Sequence, residues 1–234
     1  IPEATSAAVC QFDSLQAAVE TVIMTMQAGI PVARIELADA DQMRASIAYS
    51  KLDFEPLPTL FLEFHGSPAG VQEQAAAVEA IATEMGGKGF AWANDAEARN
   101  KLWKARHDAW WAANALYPGC RGITTDVCVP ISRLAEAIVG AKEAAVAAGQ
   151  NTCIVGHVGD GNYHVVILFP QDDPQGLEKA WALDRQIVAQ GLALGGTCSG
   201  EHGVGLGKRE FLEQEHGPEV LAVMRSLKAA LDPK

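Results

Sequence analysis

Residues 155–164 read Val-Gly-His-Val-Gly-Asp-Gly-Asn-Tyr-His and form the most informative stretch of the chain. Asp160 and Gly161 lie between two β-rich runs, a pattern that predicts a two-residue hairpin turn of type I′. With these residues as the turn, His157 faces His164 across the two strands. Directly opposed residues have Cβ atoms roughly 4.5–5.5 Å apart, so two imidazoles lie side by side, as two ligands of one metal require. Alternatively, both are structural histidines hydrogen-bonded within the hairpin.

A glycine-dense stretch lies further along the chain, where residues 198–208 read Cys-Ser-Gly-Glu-His-Gly-Val-Gly-Leu-Gly-Lys. It predicts a loop whose backbone can approach a ligand closely. The spacing does not fit a phosphate-binding P-loop. Glu201 can complete a site of two histidines and one glutamate that keeps a position open for substrate. His202 is expected to point elsewhere, as a fourth ligand or a general base. The alternative is a helix-entry turn with exposed charges.

Arg106 is the other unusual residue. It shares a stripe with Leu102, Ala109 and Ala113 in a helix expected near 96–116. A guanidinium on an apolar face needs an anionic partner. The partner is either an Asp or Glu of the protein or the carboxylate of a substrate, because the planar Arg fork suits both.

Helical and strand patterns alternate along the whole chain. Apolar residues at helical spacing predict helices over 15–26, 71–85, 131–146 and 177–194. Runs of β-branched or aromatic residues predict strands at 8–12, 32–37, 59–64, 89–92, 123–129, 153–158 and 163–169, with a short one ending at Thr197. Lys142 interrupts the helical stripe over 131–146, and its ammonium is expected to reach water while its stem covers the apolar face.

The order of these elements predicts an α+β fold. Each half of the chain approximates a βαββαβ pattern, with an extra short helix in the first half. We therefore expect two ferredoxin-like units, at about 1–95 and 118–200, that share a large antiparallel sheet covered by helices on one side. Further helices are expected over 205–234.

Composition and charge narrow the function. With 49% hydrophobic and 20% charged residues, the 234-residue chain is typical of a globular protein. Its formal net charge of −11 argues against nucleic-acid binding, because phosphate backbones are repelled. Five widely spaced cysteines include no CxxC pair, which favours free thiols in a reducing compartment. No signal peptide or membrane span is visible, so a cytoplasmic location is expected, with membrane association as an alternative.

Four long motifs resemble the C-terminal half of the FAD-linked oxidases of the vanillyl-alcohol oxidase type. They are LWKARHDAW (102–110), TDVCVPISRLAE (125–136), VGHVGDGNYH (155–164) and TCSGEHGVGLGKR (197–209). Within that group the chain is most similar to the dehydrogenases that pass electrons from D-lactate to cytochrome and to the related glycolate oxidases. The resemblance covers 1–234 as a cap domain, so the N-terminal FAD-binding domain is expected outside this chain.

The resemblance also implies roles for the selected residues. It assigns His157, His164 and Glu201 as ligands of a divalent metal, His202 as the catalytic base and Arg106 as the clamp for the substrate carboxylate. Thr124 and Val166 stand where relatives specific for dicarboxylates place Lys and Asn. Both positions are expected to contact the substrate, and their identities favour a small substrate with an apolar tail, such as D-lactate.

The implied reaction is oxidation of D-lactate to pyruvate, with hydride transfer to FAD. Zinc is the favoured metal, with manganese or iron as alternatives. The implied partners are the 2-hydroxy acid, the protein's own FAD domain and an electron acceptor such as a cytochrome or a quinone. We expect the 1–234 fragment by itself to be inactive.

Two other classes of function fit the same sequence. Tandem ferredoxin-like units can bind small metabolites without catalysis, as regulatory domains do, because a fold alone does not fix a function. A site of two histidines and one glutamate with an open position also suits a metal-dependent hydrolase. Metal content separates the regulatory domain from the two enzymes, and a bound flavin separates the dehydrogenase from the hydrolase.

Overall fold

The structure is a computed structural model that describes residues 2–93 and 96–233. The strands are β1 (Ala4–Gln11), β2 (Val32–Ala38), β3 (Thr59–Gly66), β4 (Lys88–Ala93), β5 (Cys120–Thr124), β6 (Val127–Cys128), β7 (Asn151–Gly156) and β8 (Asn162–Pro170). The helices are α1 (Leu15–Gln27), α2 (Ala40–Ser50), α3 (Pro68–Glu84), α4 (Ala96–His107), α5 (Ala109–Leu116), α6 (Leu134–Ala147), α7 (Gly176–Ala193) and α8 (Leu212–Leu231). Ile1, Asn94 and Asp95 of the first predicted unit and Lys234 of the predicted C-terminal helices lie outside the described residues.

The strands form one antiparallel sheet in the order β4-β1-β3-β2-β7-β8-β5, and β6 pairs with β8 beside it. The predicted α+β fold with a large antiparallel sheet covered by helices is therefore confirmed. The first four strands make up one side of the sheet and the later ones the other, and β2 meets β7 in the middle. The exact bounds of the two units, about 1–95 and 118–200, stay a prediction. Among the described residues, we find no helix that combines the length and the hydropathy of a membrane span.

Polar residues at the helix starts explain where several helices begin. The hydroxyl of Ser14 accepts a hydrogen bond from the N–H of Ala17 at 3.1 Å, and α1 follows it. Ser67 does the same for Gly70 at 3.1 Å, with a proline at the start of α3. Such caps satisfy N–H groups that have no partner inside the helix.

Helices cover both faces of the sheet, so the expectation of one covered face is wrong. The main core lies between the sheet and helices α1, α3, α6 and α7. Smaller apolar clusters lie on the opposite face, where Met43 of α2, Trp103 of α4 and Ala113 of α5 pack. The physical reason is visible in β8, since Val165 and Val166 point to opposite faces and both are buried. A strand that is apolar on both faces needs cover on both.

The predicted pairing of His157 with His164 is wrong by two residues. Strand β7 pairs Val155 with His164, and His157 lies just beyond the end of that strand. Because side chains alternate between faces, a shift by two residues keeps an imidazole on the same face. The two rings therefore still lie on one side of the sheet, with centroids 5.6 Å apart.

The turn between these strands is also longer than predicted. A type I′ turn requires positive φ at both central residues, but of Asp160 and Gly161 only the glycine has it, at 80°. A 3-10 turn over Val158–Asp160 joins the strands instead. The carbonyl of His157 closes this loop by accepting hydrogen bonds from the N–H groups of Asp160 at 2.9 Å and Asn162 at 3.3 Å.

One predicted helix and one predicted strand are each divided in two. The helix expected near 96–116 breaks at Asp108 into α4 and α5. The strand expected over 123–129 is interrupted between β5 and β6, where Thr125 and Asp126 leave the regular strand. Both residues are buried and use their polar groups in the site described below.

The junction between β2 and β7 is short and is reinforced by a buried ion pair. Only two residue pairs join these strands, Leu37 with Gly156 and Ala38 with Val155. Next to them the Asp39 carboxylate, 1% exposed, accepts hydrogen bonds from the N–H groups of Gln42 and Ile154. Its other oxygen pairs with the ammonium of Lys142, at 2.7 Å. The Lys142 ammonium also pairs with Asp41 at 2.6 Å, and its side chain is 25% exposed. The ammonium is thus bound by two carboxylates, and its access to water stays a prediction.

We expect Lys142→Met to lower the free energy of unfolding by about 3 kcal/mol, because it leaves the Asp39 carboxylate buried without a counterion. Lys179→Met, which removes the partner of Asp173 at the surface, is the control and should cost less than about 0.5 kcal/mol. Denaturant unfolding of both variants measures the difference. Equal losses of unfolding free energy in the two variants would contradict the conclusion that the Asp39–Lys142 ion pair stabilises the junction of β2 and β7.

Candidate metal and substrate site

The structure brings the three predicted metal ligands together. Oxygen Oε1 of Glu201 lies 3.3 Å from Nε2 of His157 and 3.2 Å from Nε2 of His164. One ligand atom from each residue lies within 4.8 Å of the others. Bond lengths of about 2.0–2.2 Å from each of these atoms would allow one divalent cation between them.

The Nδ1 atom of each imidazole, on the side of the ring away from Glu201, lies near an oxygen acceptor. Nδ1 of His157 lies 2.8 Å from Oε1 of Glu36 on β2, and Nδ1 of His164 lies 3.1 Å from the carbonyl oxygen of Thr125. Histidines that bind metals commonly donate their second ring N–H to a carboxylate or a backbone carbonyl, which directs the free nitrogen at the metal. Both Nε2 atoms are thus turned toward Glu201.

Sequence reasoning missed Glu36, although a signal for it exists. Glu36 lies in β2 between two buried residues, Ile35 and Leu37, and it is itself only 7% exposed. A carboxylate in such a position needs a charged or hydrogen-bonding partner. The identity of the partners could not be read from the sequence, because His157 is 121 positions away along the chain.

Sequence reasoning also missed Asp126, which lies within one of the quoted motifs. Its carboxylate is 1% exposed and accepts hydrogen bonds from the loop that carries Glu201. Burial acts against the charge of Asp126, but the N–H of His202 and the ammonium of Lys208 outweigh it and hold its pKa well below the usual range. Asp126 is therefore ionised at any physiological pH.

His202 lies in the same cluster, and the expectation that it points elsewhere is wrong. Its ring stacks on that of His164, with centroids 5.1 Å apart and an angle of 22° between the planes. Its Nε2 lies 3.5 Å from Oε1 of Glu201. Neighbouring side chains diverge in a strand, but residues 201–202 lie in a bend, where no alternation applies. The His202 side chain is 52% exposed, so a substrate can reach it.

Arg106 has an anionic partner within the protein. This agrees with one of the two predicted alternatives, a protein carboxylate and a substrate carboxylate. One terminal nitrogen of its guanidinium lies 2.9 Å from Oε2 of Glu36. Its Nε is buried and makes no hydrogen bond within the described part of the chain. Glu36 therefore contacts both Arg106 and His157, and places the guanidinium beside the histidine cluster.

A cavity of about 330 Å³ opens in front of these residues. It is lined by Arg34, Glu36, Trp103, Arg106, His107, His157, Asp160 and Glu201. The guanidinium of Arg34 lies over the ring of Trp103, 4.8 Å from its centroid. The cavity thus places two guanidinium groups, Arg34 and Arg106, beside two of the three clustered ligands, His157 and Glu201, and the carboxylates of Glu36 and Asp160 line it as well.

Thr124 and Val166 lie outside the lining of this cavity. They are direct partners across β5 and β8. Val166 is 3% exposed and packs in the cluster that includes Ala113 and Cys153. Thr124 is partly exposed, and its hydroxyl donates to the carbonyl of Thr125 at 3.1 Å. A contact of either residue with the substrate stays a prediction.

The two imidazoles differ in electrostatic environment. The hydrogen bond to Glu36 raises the pKa of His157 and outweighs the effect of burial. Burial lowers the pKa of His164, and the carbonyl of Thr125 offsets this only in part. His164 is therefore neutral, and available as a ligand, over a wider pH range than His157.

Comparisons with known proteins point to one family. The family model described as FAD linked oxidases, C-terminal domain, matches residues 1–234. A relative from Danio rerio named probable D-lactate dehydrogenase, mitochondrial, is 47% identical over 234 residues, which are 100% of this chain and 47% of the relative. One from Arabidopsis thaliana, named D-lactate dehydrogenase [cytochrome], mitochondrial, is 40% identical over 233 residues, with 100% and 41% covered. The chain thus spans less than half the length of these relatives.

Solved structures show the same fold at low sequence identity. The isoeugenol complex of 4-ethylphenol oxidase from Gulosibacter chungangensis matches with a TM-score of 0.72 at 13% identity, covering 99% of this chain and 52% of that one. Substrate-bound p-cresol methylhydroxylase matches with a TM-score of 0.70 at 15% identity, covering 99% and 51%. At these identities the likeness shows the fold alone.

We expect Glu36→Gln to lower the pKa of His157, because a neutral amide stabilises the charged imidazole less than a carboxylate does. The contact with Glu36 raises the folded-state pKa, so it adds stability below the unfolded-state value of about 6.5. That contribution is lost as pH rises through the folded-state pKa. An NMR titration of chelator-treated protein measures the change. Glu63→Gln, which removes the partner of the exposed His65, is the control. An equal change in the pKa of His157 in both variants would refute the assignment.

Proposed function

Because the chain belongs to the FAD-linked oxidases through their C-terminal domain, we propose that it binds the substrate and a metal in a flavin-dependent D-2-hydroxy-acid dehydrogenase. The family match confirms the resemblance inferred from the four sequence motifs. FAD is the cofactor that the family implies. The flavin-binding domain is then a further part of the longer protein, consistent with the share of each relative that the chain covers.

One observation carries the proposal. Two imidazoles and one carboxylate converge within 4.8 Å, and each imidazole is oriented by an acceptor on its other nitrogen. Beside them lies an arginine with a buried N–H that has no hydrogen-bond partner in the described residues. A 2-hydroxy acid presents a carboxylate and a neighbouring hydroxyl, which match the arginine and the cluster respectively.

The donor set fits a divalent metal. His157, His164 and Glu201 supply two nitrogens and one oxygen, which suits zinc best, with manganese or iron as alternatives. A metal held there would supply Lewis acidity to the substrate hydroxyl and lower its pKa. The FAD of the whole enzyme would supply the acceptor of the two electrons removed from the substrate.

The residues of this chain have distinct proposed tasks. Arg106 binds the substrate carboxylate with the N–H groups that Glu36 does not use, and this orients the substrate in the cavity. His202 accepts the hydroxyl proton at a ring nitrogen, because its exposed ring lies beside Glu201. Glu36 holds both Arg106 and His157, so substrate binding and ligand orientation depend on the same carboxylate.

D-Lactate is the proposed substrate, and pyruvate the product. The names of the two relatives support this choice. The proposed contact of Thr124 and Val166 with the substrate adds no support, because neither residue lines the cavity. A cytochrome or a quinone is the proposed electron acceptor, and the name of the A. thaliana relative supports the cytochrome. The cytoplasmic location stays a prediction, and both relatives are named mitochondrial.

We expect the full-length protein to bind about one zinc or manganese ion per chain at this site. His157→Ala and Glu201→Ala should each weaken metal binding by at least about tenfold, because each removes one of three ligands. Mass spectrometry of bound metal and a competition titration measure these changes. His65→Ala, which removes an exposed histidine on β3, is the control. Full metal content in His157→Ala would contradict the proposed ligand set.

We expect Arg106→Ala to lower kcat/KM for all 2-hydroxy acids by roughly 30-fold or more. A lost charge-assisted pair in a desolvated site costs on the order of 2–5 kcal/mol. Lys104→Ala, on the same helix but paired at the surface with Asp108, should leave kcat/KM unchanged. Steady-state kinetics with D-lactate and a longer 2-hydroxy acid test this. A loss restricted to one substrate would show that Arg106 binds the variable tail and not the shared carboxylate.

A further inference from the structure

We infer that Asp126 is the positioning residue of this centre, whose buried carboxylate sets the place of Glu201 and His202 against the two imidazoles. The inference rests on the proposed function and adds a residue to which neither the family match nor the motifs assign a task. Asp126 touches neither the proposed metal position nor the cavity, and acts through the residues that do.

The Asp126 carboxylate gathers four donors from one loop. It accepts hydrogen bonds from the backbone N–H of Glu201, at 3.2 Å from each oxygen, and from that of His202, at 2.9 Å. The hydroxyl of Ser199 donates at 3.0 Å, and the ammonium of Lys208 at 3.0 Å. Two of the donors are thus the backbone groups of the proposed ligand and the proposed base.

The backbone of Asp126 holds the same loop. Its carbonyl accepts a hydrogen bond from the N–H of Gly200 at 3.1 Å. At Gly200 an added Cβ would lie 2.6 Å from the side chain of Asn162, so a larger residue would have to displace that side chain. The loop is therefore seated against β8, with Asp126 beneath residues 199–202.

The residue before Asp126 completes the arrangement. The carbonyl of Thr125 accepts from Nδ1 of His164 at 3.1 Å, and its hydroxyl accepts from the N–H of Val165 at 2.9 Å. Thr125 and Asp126 together therefore fix His164, Glu201 and His202 relative to one another. The break between β5 and β6 makes this possible, because it turns the polar groups of both residues toward the site.

A carboxylate suits this task for a physical reason. The loop over 198–208 contains four glycines, and glycine loses more conformational entropy on ordering than any other residue. Charge-assisted hydrogen bonds are stronger than neutral ones and can hold such a loop in one conformation. Lys208, at the end of the loop, compensates the buried charge.

The test replaces Asp126 with Asn in the full-length protein. The amide has the same shape, but its NH₂ group faces donors and cannot accept from them. We expect the Kd for Mn(II), followed by electron paramagnetic resonance, to rise at least about tenfold. Hydrogen exchange at the amides of Glu201 and His202 should become faster by a similar factor, while exchange in the core of α6 stays the same.

Three further variants separate positioning from general destabilisation. Ile138→Val removes a buried methyl group in α6, and should leave the Kd for Mn(II) within about twofold of wild type. Lys208→Met keeps the backbone hydrogen bonds, and should weaken Mn(II) binding less than Asp126→Asn does. Ser199→Ala removes one hydrogen-bond donor to the Asp126 carboxylate and replaces Asp126→Asn in the test if that variant fails to fold. We expect it to raise the Kd for Mn(II) by about two- to threefold.

The outcomes distinguish this inference from the proposed function. If wild type binds Mn(II) and Asp126→Asn binds it equally well, the inference is overturned and the metal site stands. If wild type binds neither Mn(II) nor Zn(II) nor Fe(II), the proposed metal site fails, and hydrogen exchange decides the inference. Faster exchange confined to residues 199–202 in Asp126→Asn then supports positioning by Asp126, and unchanged exchange overturns it.

Discussion

The buried Asp39 carboxylate at the junction of β2 and β7 is the constraint on which the rest of the site depends. A charge that is removed from water must be satisfied by the protein, and Asp39 is satisfied by Lys142 and two backbone N–H groups. These contacts join the two sides of the sheet where only two residue pairs connect them. Leu37 is paired with Gly156, so the preceding Glu36 lies beside the following His157.

Two further buried carboxylates, at the functional site, also have to be satisfied by partners within the protein. Glu36 holds His157 and Arg106 from the first side of the sheet. Asp126 holds the loop of Glu201 and His202 from the second. Each carboxylate gains its partners only when distant segments meet, so the clustered groups are fixed by the completed fold and not by local structure.

The resulting site is asymmetric in a way that suits the proposed chemistry. His164 is buried at one end of the cluster, whereas the ring of His202 is half exposed at the other. The cavity beside them carries Arg34 and Arg106 in a protein with a formal net charge of −11. Glu36, Asp160 and Glu201 line the same cavity, so a small anion would be bound there through direct contacts with the two guanidinium groups and not through a net positive charge.

The sequence by itself determined the α+β fold, the family and the identities of the clustered residues, because periodicity and long motifs are local properties of the chain. It placed His157 and His164 on one face of a hairpin, but with the wrong register, since the length of the turn depends on hydrogen bonds to the His157 carbonyl. Only the tertiary structure decided that Arg106 pairs with Glu36, that His202 joins the cluster, and that Asp126 lies beneath Glu201. The last of these contacts joins residues 75 positions apart, and a buried charge selects its partner by proximity in space, which no local pattern records.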